Sequence, residues 1–154
     1  MMTLSSKVIA ALEGRTLVTA ESITGGGIGS ALTAVPGSSA VYKGGVISYT
    51  NEVKATVLGV SPEILEHHGA VSEPTAAAMA SGVRKLLNAD VAVSVTGLAG
   101  PGGDEFGNPV GTVYIGFDSE SRSVVKSCFF EGSREEIRNQ VIEAALALIL
   151  EYQL

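Results

Sequence analysis

Four residues have the types and spacing for acyl-transfer chemistry: Ser22, Tyr49, Lys54 and Thr96. A serine hydroxyl attacks a carbonyl only with a base within hydrogen-bond reach. The two histidines, His67 and His68, are adjacent at the end of a short helical stretch before Gly69. There they read as a solvated C-terminal cap, where positive charge suits the helix dipole. No Gly-x-Ser-x-Gly elbow is present either. Lys54 is the better base, five residues beyond Tyr49. It must be neutral to act, which requires burial or a nearby cation. Thr96 offers a hydroxyl that could relay a proton between Lys54 and Ser22. Tyr49 and Asn51 could orient the substrate or the lysine. Each residue also has a bland reading: helix cap for Ser22, solvated helix face for Lys54, half-buried strand aromatic for Tyr49, β-branched strand residue for Thr96.

Two glycine-rich junctions accompany these residues. Ser22 opens the run Ser22-Ile23-Thr24-Gly25-Gly26-Gly27, after an apolar segment and before a helical one. Free N–H groups of a first helical turn can hold an anion or an oxyanion. Glu21 and Thr24 add a carboxylate and a second hydroxyl; Glu21 could support the Ser22 loop through backbone amides, or hold Lys54. The second junction is Gly97-Leu98-Ala99-Gly100-Pro101-Gly102-Gly103, whose amides at Gly97, Ala99 and Gly100 could face a phosphate or oxyanion. It is neither a Walker loop nor a dinucleotide fingerprint. Asp104 and Glu105 follow, but no His, Cys or further acid is spaced to complete a metal site, so a solvated loop is expected and no metal.

The elements that must position these groups follow from periodicity and punctuation. Leu4 to Leu12 reads as a helix ended by Gly14, Thr16 to Ala20 as a strand, and Ile28 to Val35 as a helix stopped at Pro36. A strand is expected within Val41 to Tyr49. Helix entries follow at Thr50 or Asn51, at Ser61-Pro62 and at Ser72-Glu73-Pro74. Val91 to Thr96 reads as a strand buried on both faces. Val110 to Phe117 and Ser123 to Phe130 read as a hairpin. Ser133-Arg134-Glu135-Glu136 is a capping box ahead of a last helix reaching about Tyr152. Written as α-β-α-β-α-α-β-β-β-α, this order predicts an α/β fold: a three-layer α/β/α sandwich with a mixed, mostly parallel sheet of five or six strands. Ligands of such sheets bind beyond the carboxyl ends of the strands, where Ser22, Tyr49 and Thr96 would converge.

The chain has 154 residues, enough for one domain over 1–154 with its own core. Its net charge of −6 and lack of Trp or a basic cluster argue against a nucleic-acid partner. Cys128 is the one cysteine, which excludes an internal disulfide and fits a reducing compartment. No signal segment and no membrane-length apolar run is present, so a cytoplasmic chain with no membrane partner is expected. Apolar residues on several helices suit a homo-oligomer, a dimer or trimer.

The motifs Thr19-Ala20-Glu21-Ser22-Ile23-Thr24-Gly25-Gly26, Gly45 to Lys54, His68 to Pro74, Val95 to Gly103 and Pro109 to Tyr114 resemble, in order, the CinA C-terminal domain family. The resemblance spans nearly the whole chain. It implies a stand-alone nicotinamide-nucleotide amidohydrolase that converts nicotinamide mononucleotide to nicotinic acid mononucleotide and ammonia in pyridine nucleotide salvage. No cofactor is implied. Carried over by motif, Ser22 is the nucleophile, Lys54 the general base, Thr96 the proton-relaying hydroxyl and Tyr49 the supporting tyrosine. The expected substrate contacts are Glu21, Thr24, Gly25, Gly26, Asn51, Gly97, Ala99, Gly100 and Arg138, with Arg138 toward the phosphate. The alternative is a non-catalytic nucleotide- or protein-binding module linked to competence or DNA damage.

Overall fold

The computed structural model describes residues 2–154. Helix α1 is Leu4–Ala11, strand β1 Leu17–Glu21 and helix α2 Gly27–Thr33. Strand β2 is Tyr42–Ile47. Three helices follow: α3 Asn51–Thr56, α4 Pro62–His68 and α5 Glu73–Leu86. Then come β3 Val91–Gly97, β4 Thr112–Ser119, β5 Ser123–Phe129 and α6 Arg134–Tyr152. The expected order counted two helices between the second and third strands. There are three, because each of the capping residues Thr50, Ser61 and Ser72 starts its own helix: each side chain accepts a first-turn amide. The capping box before α6 is present in both directions, Ser133 to Glu136 and back.

The sheet has five strands in the order β2-β1-β3-β4-β5. β1 pairs parallel with β2 and with β3. β4 runs against β3, and β5 against β4, so β4 alone opposes the direction of the others. The hairpin is short because Asp118 pairs with Ser123 across a tight turn.

Helices cover both faces. On one face, Leu17, Val93 and Val95 pack with Val8 of α1, Ile28 of α2 and Val141 of α6. On the other, Val18, Ala20 and Ala92 pack with Met79 and Val83 of α5 and with Leu58 and Leu65 around α3 and α4. Every residue of β1 is buried, as are all of β3 but the last, which is why both read as continuous apolar runs. Helix α5 approaches the sheet closely at Gly116. A Cβ there would meet Ala76 O and Ser94 Oγ at 2.6 Å. Ser94 Oγ also donates to Ala76 O across the same contact. The alanines of α5 and the missing side chain at 116 are thus one device: they let helix backbone and sheet touch.

Candidate active site

Alternation along the central strands decides which side chains meet. Val18 and Ala20 face α5, so the next residue of that parity, Ser22, emerges on the same side. Glu21 has the opposite parity and points toward α2. On β3, Ala92 and Ser94 share the α5 face, so Thr96 does too. Ser22 N donates to Val95 O, which sets the Ser22 turn against the end of β3.

Lys54 comes to Ser22 from α3. It is 1% exposed, among the largest fully buried side chains of the described residues. Its Nζ lies 3.1 Å from Ser22 Oγ and donates to Ser48 O at 2.8 Å and Tyr49 O at 3.4 Å. Burial lowers its ammonium from the ordinary value of 10.5 to about 8. The two carbonyls take two N–H groups. In the neutral amine this leaves the lone pair for the Ser22 hydroxyl, which is the arrangement a general base requires. Thr50 caps α3 and so fixes the loop that presents both carbonyls.

Ser22 and Lys54 open onto a cleft of about 210 Å³ beyond the carboxyl ends of β1 and β3. Its wall also includes Tyr49, Ala70, Val71, Thr96, Gly97, Ala99, Gly100 and Arg134. Lys54 and Arg134 are its charged residues, and no carboxylate lines it. Arg134 spans the opening, with Nη1 donating to Gly100 O at 2.6 Å and Nη2 to Tyr49 Oη at 3.2 Å. A second cavity of about 230 Å³ lies at the other end of the sheet, lined by Arg15, Arg84, Asp90 and Ser119 among others, without a serine–lysine pair.

Several residues sit differently from the sequence expectation. Thr96 lines the cleft, but its hydroxyl donates to Ala70 O at 2.7 Å and bridges neither Lys54 nor Ser22. Glu21 is 2% exposed and, of its two expected roles, takes the support through backbone amides and not the hold on Lys54; nor does it line the cleft as a substrate contact. Its carboxylate accepts from Ile28 N at 2.8 Å, Gly29 N at 3.0 Å and Thr24 Oγ1 at 2.6 Å. The start of α2 already holds an anion, the chain's own, so its amides are not open to a ligand. Thr24 is committed to Glu21, and Gly25 and Gly26 lie off the cleft, turning the chain into α2 at φ 58° and 102°. Asn51 is exposed at the start of α3, off the cleft.

Arg138 also lies off the cleft. It donates from Nε to Ile23 O and from Nη2 to Thr24 O, both at 3.1 Å. The cleft arginine is Arg134, one helical turn earlier, which the sequence reading missed. Its place in the first turn of α6, beside the Gly132-Ser133 entry to the helix, was the available signal. Asp104 accepts from Phe106 N, Asn108 N and Asn108 Nδ2, and these bonds hold its carboxyl below the usual range. His67 and His68 are exposed at the end of α4. Among the described residues no helix is long and apolar enough to cross a membrane.

The fold and motifs have close counterparts. A CinA-like protein of Parasynechococcus marenigrum is 57% identical over 114 residues, 73% of this chain and 27% of that protein. A CinA-like protein of Sulfurihydrogenibium is 48% identical over 138 residues, 90% of this chain and 34% of that one. The chain thus spans about a third or less of the length of these curated relatives. The crystal structure of the competence damage-inducible protein A (ComA) from Klebsiella pneumoniae superposes with a TM-score of 0.95 at 39% identity, covering 97% of this chain and 94% of that one. The competence/damage inducible protein CihA of Agrobacterium tumefaciens gives 0.94 at 38% identity, covering 98% and 94%. The sequence model of the CinA C-terminal domain matches residues 2–153, and the chain belongs to that family.

Proposed function

We propose that this domain hydrolyses the carboxamide of nicotinamide mononucleotide by a serine–lysine mechanism. The observation that carries the reading is the buried Lys54 amine 3.1 Å from Ser22 Oγ, with its charge already weakened by desolvation. Neutral Lys54 takes the Ser22 proton as Oγ bonds to the amide carbon. The C–N bond then breaks, and the leaving nitrogen departs as ammonia with the proton from Lys54. A water attacks the ester, giving its proton to Lys54, and the acid leaves as Ser22 is reprotonated. Net, one amide and one water become one acid and one ammonia.

The substrate class is supported by the charge of the cleft. Lys54 is committed to Ser22, so Arg134 is the cation left for a phosphate, beside the amides of the Gly97–Gly102 loop. With a value of about 8, roughly one Lys54 in ten is neutral at pH 7. Turnover is therefore expected to rise with pH and level off above about 8.

The test is ammonia release from nicotinamide mononucleotide by the purified chain, beside Ser22→Ala. Release by the wild type and loss of at least a thousandfold in the variant are expected. Binding of the nucleotide without ammonia would point instead to the non-catalytic module. Equal rates on nicotinamide riboside, which lacks the phosphate, would remove Arg134 from the reading.

A further inference from the structure

Two neighbouring amides beside Ser22 have no partner among the described residues. Of the other turn amides, Ser22 N goes to Val95 O, Gly25 N to Ser22 O, Gly27 N to Thr24 O, and Ile28 N and Gly29 N to Glu21, while Gly26 N, on a half-exposed residue off the cleft, has no partner among the described residues. Ile23 N and Thr24 N donate to nothing among the described residues, although Ile23 is 5% and Thr24 2% exposed. Buried amides are nearly always paired, and leaving one unpaired is costly. Two in succession, directly after a nucleophile, mark a place prepared for an acceptor that arrives from outside.

We propose that Ile23 N–H and Thr24 N–H form the oxyanion hole, and that Arg138 is the positioning residue that aims and polarises it. This rests on the serine-nucleophile reading above. The Ile23–Thr24 peptide is trans, so its N–H points opposite to its C=O. Arg138 holds that carbonyl at 3.1 Å from α6, which turns Thr24 N–H away from α6. Its second bond, to Thr24 O, fixes the next peptide plane. The Ser22 carbonyl is held by Gly25 N, which turns Ile23 N–H out of the turn. A peptide whose oxygen accepts from a guanidinium is a stronger donor at its nitrogen, because linked hydrogen bonds polarise one another. Glu21 completes the arrangement by binding the α2 amides, so an incoming anion finds Ile23 N and Thr24 N and not the helix start.

A fluorophosphonate tests this independently of the natural substrate. Ser22 Oγ bonds to phosphorus, fluoride leaves, the proton goes to Lys54, and negative charge builds on the phosphoryl oxygen. We expect Arg138→Ala to slow labelling of Ser22 about a hundredfold, the scale of a lost oxyanion donor. Added guanidinium ion should restore about tenfold, Arg138→Lys should fall between, and the pH midpoint near 8 set by Lys54 should stay in place. Replacing Thr24 by its α-hydroxy acid removes the N–H and weakens the Ile23 carbonyl as an acceptor for Arg138, and should give a loss at least as large with the Arg138 side chain in place. Labelling of Arg138→Ala at the wild-type rate overturns the assignment, as does an unchanged rate in the Thr24 ester. A wild type that is not labelled at Ser22 overturns the serine–lysine reading itself, a separate failure.

Discussion

The two glycine-rich strand exits on the active rim look alike in sequence and are wired in opposite ways. The exit of β1 is tied down throughout. Glu21 holds the amides of α2, Arg138 holds the carbonyls of Ile23 and Thr24, and Lys54 reaches Ser22. The exit of β3 is tied at its base, where Leu98 N meets Thr112 O and Thr96 meets Ala70 O, while the loop at Ala99 and Gly100 lines the cleft. The proposed chemistry needs Ser22 fixed within a fraction of an ångström, and the first exit is tied in that way. The proposed recognition needs amides and a cation that can turn to a ligand, and the second exit has Arg134, held only by exposed bonds to Gly100 and Tyr49.

That contrast predicts which kinetic constant each side controls. The largest effect is expected from Lys54→Met, which should lower kcat by about a thousandfold while leaving KM within a few fold. A loss confined to KM would erase the division. Next is stability against pH. Lys54 has a folded value below its unfolded one, so the unfolded chain binds more protons between about 8 and 10.5. Burial of the charged lysine costs stability below about 8, and this cost is relieved as pH rises to 10.5. Denaturant titrations should show the wild type gaining up to about 3 kcal/mol relative to Lys54→Met across that window. A flat difference would mean that the amine is not desolvated.

On the β3 side, Arg134→Ala should raise KM for the phosphorylated substrate about tenfold and lower kcat less. Steady-state kinetics with and without the phosphate would show whether the loss follows that group. The smallest effect is expected from Thr96→Val. Its hydroxyl proton already goes to Ala70 O, so kcat should fall less than tenfold, with about 1–2 kcal/mol lost in stability. A fall of a hundredfold or more would return Thr96 to the proton relay.

Much of this was legible in the chain. Continuous apolar runs marked β1 and β3, and the lack of a usable histidine together with the motifs singled out Lys54 as the partner of Ser22, while its burial came only from the fold. Less was legible where two identical residues competed. Arg134 and Arg138 lie four apart on one helix, and only the tertiary fold decides that one spans the cleft and the other backs the nucleophile. Glu21 illustrates a second limit. Its neighbours made it look like a substrate contact, but a side chain of opposite parity to Ser22 must enter the other layer. The direction of a hydroxyl, as at Thr96, depends on which carbonyl the chain brings near, here Ala70, 26 residues away in sequence.

The contact of α5 with Gly116 has a mechanical consequence. Ala76 and Ser94 are locked through a buried hydrogen bond at van der Waals range, and a Cβ at Gly116 would leave no room. Helix α5 therefore cannot slide or rock against the sheet without unfolding that contact. The Ala70–Val71 wall, which feeds directly into α5 and is bonded to Thr96, shares this stiffness. The bonds of Arg134 to Tyr49 and Gly100 are solvent-exposed by contrast. The cleft is thus a vice with one fixed jaw, the other being held only by exposed hydrogen bonds.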